Sequence, residues 1–391
     1  MEILNQFNSH VTALSKSPTL KITALAKKLK KEGKDIINFA AGEPDFDTPD
    51  FIKQAAKDAL DQGFTKYTPS SGAPELKAGI VEKLQNENSL GYTPENILVT
   101  TGAKFSVFLG IFALIEKDSE IILPEPYWVS YPEMAKIAGA KVRTLPTHRE
   151  NGFKIDPKKL AAAITARSKL IILNYPSNPT GVTYTESELK ALWDVIKDSN
   201  LWVLSDEIYE HILFDKRTHT SFAALNKEAY NRTITVNGFS KCFSMTGWRL
   251  GYIAAPVKFV QEASKMIDHT TSGANSIAQK AACVALAKGQ EWTGHIKKIF
   301  QERRDLLFES LSGHPSLSPL KPQGTFYLFC DISQSGLSAY DFASRLLDTH
   351  SVAVIPSEGF GIEGYIRISF ATSTEQIKEG ARRIKEFMDN L

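Results

Sequence analysis

The sequence is poor in cysteine. Its 391 residues include three cysteines, Cys242, Cys283 and Cys330, which lie far apart and form no C-x-x-C pair. A sparse, odd-numbered set argues against a disulfide framework and a zinc site, and it fits a reducing compartment. Glu210 and His211 are adjacent residues of metal-binding types, but the i, i+4 histidine pair of a helical metal site is missing. We therefore expect no metal centre.

The sequence also lacks a long apolar run and a strong charge imbalance. No segment reaches the length of about 18 apolar residues that a membrane helix needs, and residues 1–17 show no apolar stretch behind positive charges. The net charge is +2, and the basic residues are dispersed apart from a group of lysines at residues 27–34 that fits the solvated face of a helix. A nucleic-acid-binding domain would concentrate its basic residues. We therefore predict a cytoplasmic protein that binds neither nucleic acid nor membrane.

The composition is that of a folded globular protein, with 42% hydrophobic and 23% charged residues. The length allows two or three domains, or one large α/β unit with an elaboration. Apolar runs without alternation predict strands covered on both faces, as in a parallel sheet with helical crossovers, at residues 121–123, 170–173 and 201–204. A mostly helical region is predicted at 268–310. Strands separated by helices then follow at 324–329, 352–355 and 365–370, and we assign them to a smaller second domain together with the N-terminal helix.

The most informative stretch is residues 235–251. An apolar, β-branched run enters a Gly/Ser turn that presents Lys241, and Arg249 follows eight positions later beside small residues. A lysine in such a turn can form a Schiff base with an aldehyde cofactor, and an arginine can hold a phosphate with two hydrogen bonds. Pyridoxal phosphate needs both groups. For a Ser-Lys pair alone, a surface lysine and half of a salt bridge would be the preferred interpretation.

Further polar residues stand at predicted strand ends. Gly102 and Ala103 connect a strand to a helix, the geometry in which backbone N–H groups bind phosphate, and Lys104 adds a cation nearby. Asp206 ends an apolar strand, where a carboxylate is unfavourable unless it is paired; a protonated ring nitrogen would serve, and capping a following helix is the alternative. Arg367 lies inside an apolar strand and requires an anion, either a substrate carboxylate or a structural salt bridge.

Aromatic residues and glycines on loops complete the set. Trp128, on a proline-rich loop, can stack on a pyridine ring or pack in the core. Tyr67 is placed to project from a Pro/Gly-rich loop. Gly42 allows a ligand to approach the backbone, or it is an ordinary turn glycine. Residues 359–364 match G-x-G-x-x-G but precede a strand and not a helix, so we discount a dinucleotide site.

Residues 240–252, Ser-Lys followed by Thr-Gly-Trp-Arg-Leu-Gly-Tyr, closely resemble the lysine signature of the class I and II pyridoxal-phosphate-dependent aminotransferases. The strings at 42–46, 126–128 and 177–181 occur in the family's order, and the resemblance runs from about residue 15 to the C-terminus. It extends to the bacterial aspartate aminotransferase subgroup, which includes aspartate/prephenate aminotransferases. The resemblance implies an α/β fold of fold-type I, with a mostly parallel seven-stranded sheet covered by helices in a large domain at 44–295. It also implies a smaller α/β domain at 1–43 and 296–391, and a homodimer with shared active sites.

The resemblance assigns a role to each candidate residue. Lys241 is implied to hold pyridoxal 5'-phosphate and to act as the general base, and Asp206 to keep the ring nitrogen protonated. The other implied cofactor contacts are made by Tyr209 and Asn178 at the ring oxygen, by Trp128 on the ring face, and by Arg249, Gly102, Ala103 and the neighbouring subunit's Tyr67 at the phosphate. The implied substrate contacts are made by Gly42, Asn178, Trp128 and Arg367 near the α-carboxylate and by Lys104 at a distal carboxylate.

The implied activity is transfer of an amino group between L-aspartate and 2-oxoglutarate by a ping-pong mechanism, which is aspartate transaminase activity. Lys104 supports this, and residues 256–290 contain no arginine for the other subgroup's distal site. Prephenate or aromatic amino acids are the runner-up substrates. A C–S lyase or a cyclopropane-carboxylate synthase, a ligand-binding regulator and a purely structural protein stay open. One departure is Gly238, where many relatives carry a phosphate-binding serine.

Overall fold

A computed structural model describes residues 7–15 and 18–391, so residues 1–6 and 16–17 of the segment assessed for a leader lie outside the described residues. The described helices are α1 (Ser9–Thr12), α2 (Pro18–Lys31), α3 (Asp50–Asp61), α4 (Pro74–Asn88), α5 (Ala103–Phe112), α6 (Ser130–Ile137), α7 (Pro157–Ala163), α8 (Glu186–Ile196), α9 (Lys227–Tyr230), α10 (Val257–Asp268), α11 (Ser276–Lys288), α12 (Gln290–Ser312), α13 (Ala339–His350) and α14 (Thr374–Asp389). Within the described part of the chain, no helix combines the length and the apolar character needed to span a bilayer.

The described strands are β1 (Ile37–Asn38), β2 (Ile97–Thr100), β3 (Glu120–Pro124), β4 (Lys141–Leu145), β5 (Ser168–Asn174), β6 (Trp202–Asp206), β7 (Thr233–Gly238), β8 (Gly251–Ala254), β9 (Ser318–Leu320), β10 (Tyr327–Asp331), β11 (Val352–Ala353), β12 (Ile355–Pro356) and β13 (Tyr365–Ser369). Seven of them form a central sheet in the order β2-β8-β7-β6-β5-β3-β4. β8 runs antiparallel to both neighbours and the other pairs are parallel. The mostly parallel sheet of the fold prediction is confirmed.

The central sheet is covered on both faces, as the unalternating apolar runs predict. In β5, Leu170 and Ile172 pack in a core with residues of α5, α6 and α10. Their neighbours Ile171 and Leu173 pack in a second core with residues of α7 and α8. Because successive side chains of a strand point to opposite faces, a run such as Leu-Ile-Ile-Leu supplies both cores.

The C-terminal part builds a separate sheet in the order β12-β13-β10-β9, with α12, α13 and α14 packed into its core. The predicted strand at 352–355 is in fact two short strands, because β11 pairs with β1 while β12 pairs with β13. The predicted helical region at 268–310 is interrupted between α10 and α11. The domain boundaries at residues 44 and 296 stay a prediction, and the second falls inside α12.

The central sheet brings the functional candidates together at one edge. β2, β5, β6 and β7 run in the same direction, so their carboxyl ends meet there. Gly102 follows β2, Asn178 follows β5, Asp206 ends β6, and Lys241 follows β7. Ligands of open α/β sheets bind at the carboxyl ends of the strands.

Candidate active site

A cavity of about 440 Å³ opens at this edge of the sheet, within the size range of ligand sites. Its lining includes ten of the twelve predicted site residues: Gly42, Ala103, Lys104, Trp128, Asn178, Asp206, Tyr209, Lys241, Arg249 and Arg367. Gly102 and Tyr67 lie outside the lining.

Lys241 is presented by the turn that follows β7, as the sequence predicts. Its Nζ donates to the carbonyl oxygen of Gly42 at 2.6 Å. Burial lowers the pKa of Lys241 to about 8, Glu43 opposes this effect, and the nearby guanidinium groups of Arg367 and Arg249 add to it. An amine with a pKa near neutrality is available both as a nucleophile and as a base.

Asp206 lies buried at the end of β6. Its Oδ2 accepts a hydrogen bond from Tyr131 Oη at 2.7 Å, and its Oδ1 has only a long contact of 3.4 Å from the Ile208 N–H. Burial raises the pKa of Asp206 to about 6, although the phenol of Tyr131 acts in the opposite direction. Residues 208–211 form a turn and not a helix, so Asp206 does not cap a helix. One carboxylate oxygen is thereby fixed, and the other is left for a ligand.

Arg367 lies on β13, where the side chain is buried. Its Nη1 donates to Asn178 Oδ1 at 2.9 Å, and its Nη2 donates to the carbonyl oxygen of Ala40 at 3.3 Å. The guanidinium stacks 4.2 Å above the ring of Tyr327, and its Nε has no hydrogen-bond partner within the described structure. None of the ion pairs found among residues 7–15 and 18–391 includes Arg367, so the structural salt bridge considered from the sequence does not form there. The arginine is therefore available for a ligand anion.

Two further cations face the same cavity. Arg249 Nη1 donates to the backbone carbonyl oxygen of Thr246 at 2.9 Å. Lys104, in the first turn of α5, places its Nζ 4.9 Å from the centre of the Trp128 ring. Burial, and then the charge of Arg249, lower the pKa of Lys104. With Lys241 and Arg367 the lining holds four cationic side chains against the carboxylates of Glu43 and Asp206. Such a cavity favours anionic ligands.

Gly102 does not line the cavity, but it precedes α5 and fixes the backbone at the N-terminus of this helix. Its backbone has a φ of +95°, and a Cβ at this position would lie 2.6 Å from Arg249 Nη2. The glycine therefore allows Arg249 to pass directly over the N-terminus of α5. Backbone N–H groups and a guanidinium then converge in the way that a phosphate requires.

Tyr67 is placed differently. Its side chain is 92% exposed, and it lines a separate surface hollow with residues 271–276. Within a single chain it therefore does not reach the cavity. Its predicted role depends on a second subunit.

The sequence model of the family described as aminotransferase class I and II matches residues 34–384. The chain belongs to this family. Curated relatives include a probable aspartate/prephenate aminotransferase of Aquifex aeolicus, 41% identical with 98% of each chain covered. An aspartate aminotransferase of Bacillus subtilis is 41% identical, with 97% of this chain and 98% of the relative covered.

Solved structures of aminotransferases agree with this assignment. The aspartate aminotransferase of Rhizobium meliloti superposes with a TM-score of 0.95 at 39% identity, covering 98% of this chain and 99% of that chain. The aspartate aminotransferase of Thermus thermophilus with maleate gives a TM-score of 0.93 at 38% identity, covering 97% and 99%. The family and fold predicted from the sequence are confirmed.

Sequence reasoning missed two tyrosines of this aminotransferase. Tyr131 holds Asp206 and packs edge-on against Trp128 with ring centres 5.2 Å apart. Tyr327 lies under Arg367, and its Oη is 3.1 Å from Tyr209 Oη. A buried carboxylate signals that it needs a donor, but sequence spacing does not show which of the aromatic residues reaches it.

Proposed function

We propose that this aminotransferase uses pyridoxal 5'-phosphate to move the amino group between L-aspartate and 2-oxoglutarate, giving oxaloacetate and L-glutamate. The observation that carries the proposal is one cavity lined by the Lys241 amine, the Asp206 carboxylate and the guanidinium groups of Arg249 and Arg367.

The residues present fit this cofactor. Lys241 offers an amine for the aldehyde, and Asp206 keeps one oxygen free for a protonated ring nitrogen. Trp128 offers an aromatic face, and Tyr209 and Asn178 offer hydrogen bonds to a ring oxygen. The N-terminus of α5, with Gly102, Ala103 and Arg249, offers a phosphate site. When bound, the cofactor supplies an electron-withdrawing ring that stabilises the carbanion left by loss of the substrate Cα proton.

The protein's own residues bind the substrate and move its proton. Arg367 and Asn178 hold the α-carboxylate, since the guanidinium is buried without a carboxylate partner among the described residues. Lys241 Nζ would take the Cα proton and pass it to the cofactor carbon within the same half-reaction, and in the opposite half-reaction it would carry a proton back to Cα. Its pKa of about 8 makes both directions accessible. Because one cavity serves the amino acid and the 2-oxo acid in turn, the kinetics are ping-pong.

Lys104 supports the choice of a dicarboxylic substrate. The described residues give it no carboxylate partner, and it lies on the cavity beside Trp128. A second carboxylate on the substrate would neutralise it. The Thermus thermophilus relative was solved with maleate, a four-carbon dicarboxylate, which supports the same choice.

Prephenate is the second candidate substrate, because the Aquifex aeolicus relative is named a probable aspartate/prephenate aminotransferase. Prephenate also carries two carboxylates, so Lys104 and Arg367 suit it equally. Aromatic amino acids, and a C–S lyase acting through the same ring contacts, are weaker candidates.

The proposed enzyme is a homodimer in which Tyr67 completes the phosphate site of the neighbouring subunit. The exposure of Tyr67 and the hollow beside it support this assembly. We further propose a cytoplasmic location, which the three free cysteines support. The large domain is proposed to comprise residues 44–295, and the small domain the remainder.

Absorbance and product assays test the proposal together. The protein loaded with pyridoxal phosphate should be yellow, borohydride should shift its absorbance, and Lys241→Ala should abolish the band. Aspartate with 2-oxoglutarate should yield oxaloacetate and glutamate. A colourless wild-type protein would refute the cofactor assignment, whereas a yellow protein that releases pyruvate from a sulfur-containing amino acid without transamination would indicate the lyase.

A further inference from the structure

Outside the cavity, a polar cluster lies buried between α4, the segment that follows β6 and the end of β7. We define it as Lys83, Asn88, Glu207, Glu210, Ser221 and Asn237. At its centre Lys83 Nζ contacts Glu210 Oε1, and the two side chains are only 6% and 4% exposed. Burial opposes both charges, but the attraction between them prevails, so the pKa of Glu210 lies well below its usual range and the pKa of Lys83 lies above it.

The amide and hydroxyl groups of the cluster form hydrogen bonds with the charged groups of the ion pair and with one another. Asn88 Oδ1 accepts from Lys83 Nζ at 2.7 Å, while Asn88 Nδ2 donates to Glu210 Oε2 at 2.7 Å and to Ser221 Oγ at 2.8 Å. Ser221 in turn donates to Glu207 at 2.6 Å. A network satisfied to this degree holds its members in one arrangement.

The cluster joins the two loops that carry the proposed catalytic groups. Glu210 directly follows Tyr209 and comes four residues after Asp206. Glu210 Oε1 also accepts from Asn237 Nδ2, and Asn237 Oδ1 accepts from the Gly238 N–H at 2.7 Å, at the start of the turn that presents Lys241. One carboxylate thus connects the loop of Asp206 to the loop of Lys241.

Neither stability nor metal binding accounts well for such an arrangement. A buried ion pair is weak evidence for stability, since a pair of uncharged side chains of similar volume often serves equally well. Among the described residues, the ligand atoms of Glu207, Glu210 and His219 lie within 4.8 Å of one another, as a metal site would require, and so do those of Glu87, Glu210 and His211. The ammonium group of Lys83 already contacts Glu210, however, and therefore occupies the place of a cation.

We propose that Lys83 and Glu210 are positioning residues of the transamination reaction, which set the placement of Lys241 relative to Asp206 and Tyr209. This inference rests on the proposed function. The pair acts through Asn237 and through the backbone after β6, and it touches neither the cofactor nor the substrate.

The test compares Lys83→Met, Glu210→Gln and the double variant, each as the cofactor-loaded enzyme. Both single variants should lower Tm, because each leaves one member of the pair buried without its partner. The double variant is neutral and nearly isosteric, so its Tm should return to within about 3 °C of wild type. Its kcat should stay ~10-fold or more below wild type with KM changed less than ~3-fold, since a displacement of ~1 Å can lower a rate ~100-fold. The pH midpoint of the cofactor absorbance should shift as well.

Two controls make the outcome decisive. Lys154→Met with Glu188→Gln removes a different ion pair, whose atoms are 2.6 Å apart, and should change neither kcat nor the absorbance midpoint. Asn237→Ala keeps the ion pair but cuts its link to the Lys241 loop, and should reproduce the kcat loss. A double variant with wild-type kcat and midpoint would overturn the inference, and so would a double variant that fails to fold, since the pair would then serve folding itself. A wild-type enzyme without cofactor absorbance would instead refute the proposed function.

Discussion

At the residue scale, Asp206 is held in surroundings that oppose its charge. Burial raises its pKa to about 6 from the ordinary value of 3.8, although Tyr131 donates to it. An acid whose pKa is higher in the folded state than in the unfolded state makes the fold less stable as the pH rises between the two values. In the absence of the cofactor, the ionised carboxylate therefore destabilises the protein at neutral pH.

Asp206→Asn should consequently stabilise the cofactor-free protein while it abolishes transamination. The difference between the two pKa values corresponds to about 3 kcal/mol at pH 7.5 and should shrink to about 1 kcal/mol at pH 4.5. Urea unfolding of both proteins at the two pH values measures this gain. A gain that does not depend on pH would contradict the interpretation.

We predict that Lys104, at the same scale, determines the substrate preference. Lys104→Ala should lower kcat/KM for aspartate by roughly 10- to 100-fold, because a hydrogen bond to a charged group contributes about 1.5–3 kcal/mol. Activity with phenylalanine or tyrosine as donor should change little. A substrate panel measures both, with the exposed Lys117→Ala as the matched control. An unchanged preference would remove Lys104 from the specificity site.

At the scale of elements, the N-terminus of α5 depends on a glycine in a neighbouring strand. A Cβ on Gly251, at the start of β8, would lie 2.4 Å from the Ala103 backbone N and 2.8 Å from the Gly102 carbonyl carbon. Both are backbone atoms, so the conflict is relieved only by moving the helix. The proposed phosphate site therefore requires a residue without a Cβ at this position of β8.

Gly251→Ala should weaken cofactor binding by ~10-fold or more, because the helix N-terminus would no longer be placed against the phosphate. Gly247 lies in the loop that leads into β8, and a Cβ added there would have no atom within 4 Å. Gly247→Ala therefore serves as the control. Titration of the cofactor-free protein with pyridoxal phosphate, followed by absorbance, gives both dissociation constants. Equal constants would show that α5 adapts to the added group.

The sequence predicts individual helices and strands better than it predicts which strands pair or which distant residues come into contact. The apolar runs of β5 and β6 are unambiguous because both sheet faces are covered. The run at 352–355 gives no sign that β11 and β12 belong to different sheets, since apolar character does not specify which strand is adjacent. The hydrogen bond between Tyr131 and Asp206 joins residues 75 positions apart, and it was not predicted because sequence spacing does not show which distant residues come into contact. That Lys241 and Arg249 line the same cavity was predictable because both belong to one loop.

At the scale of the whole molecule, the cavity of one chain is lined by the predicted site residues other than Gly102, the residue that precedes α5, and Tyr67. Ten predicted residues line the cavity, whereas Tyr67 is 92% exposed elsewhere on the surface. An exposed tyrosine in a monomer contributes little to stability and nothing to a distant site. A dimer that places this loop over the neighbouring cavity would give the phenol a phosphate partner.

Tyr67→Phe should therefore raise the cofactor dissociation constant by roughly 10- to 100-fold, because a hydrogen bond to a charged group contributes about 1.5–3 kcal/mol. Sedimentation should give twice the mass of the 43.3 kDa chain for both proteins. Tyr340→Phe, at a second exposed tyrosine, serves as the matched control and should change nothing. If the protein sediments as a monomer and Tyr67→Phe binds the cofactor as tightly as wild type, the active site belongs to one chain. If the protein is a dimer and Tyr67→Phe leaves the cofactor affinity unchanged, the chain dimerises but Tyr67 does not contact the phosphate. The loop of Tyr67 would then pack against the neighbouring subunit without its phenol reaching the cavity.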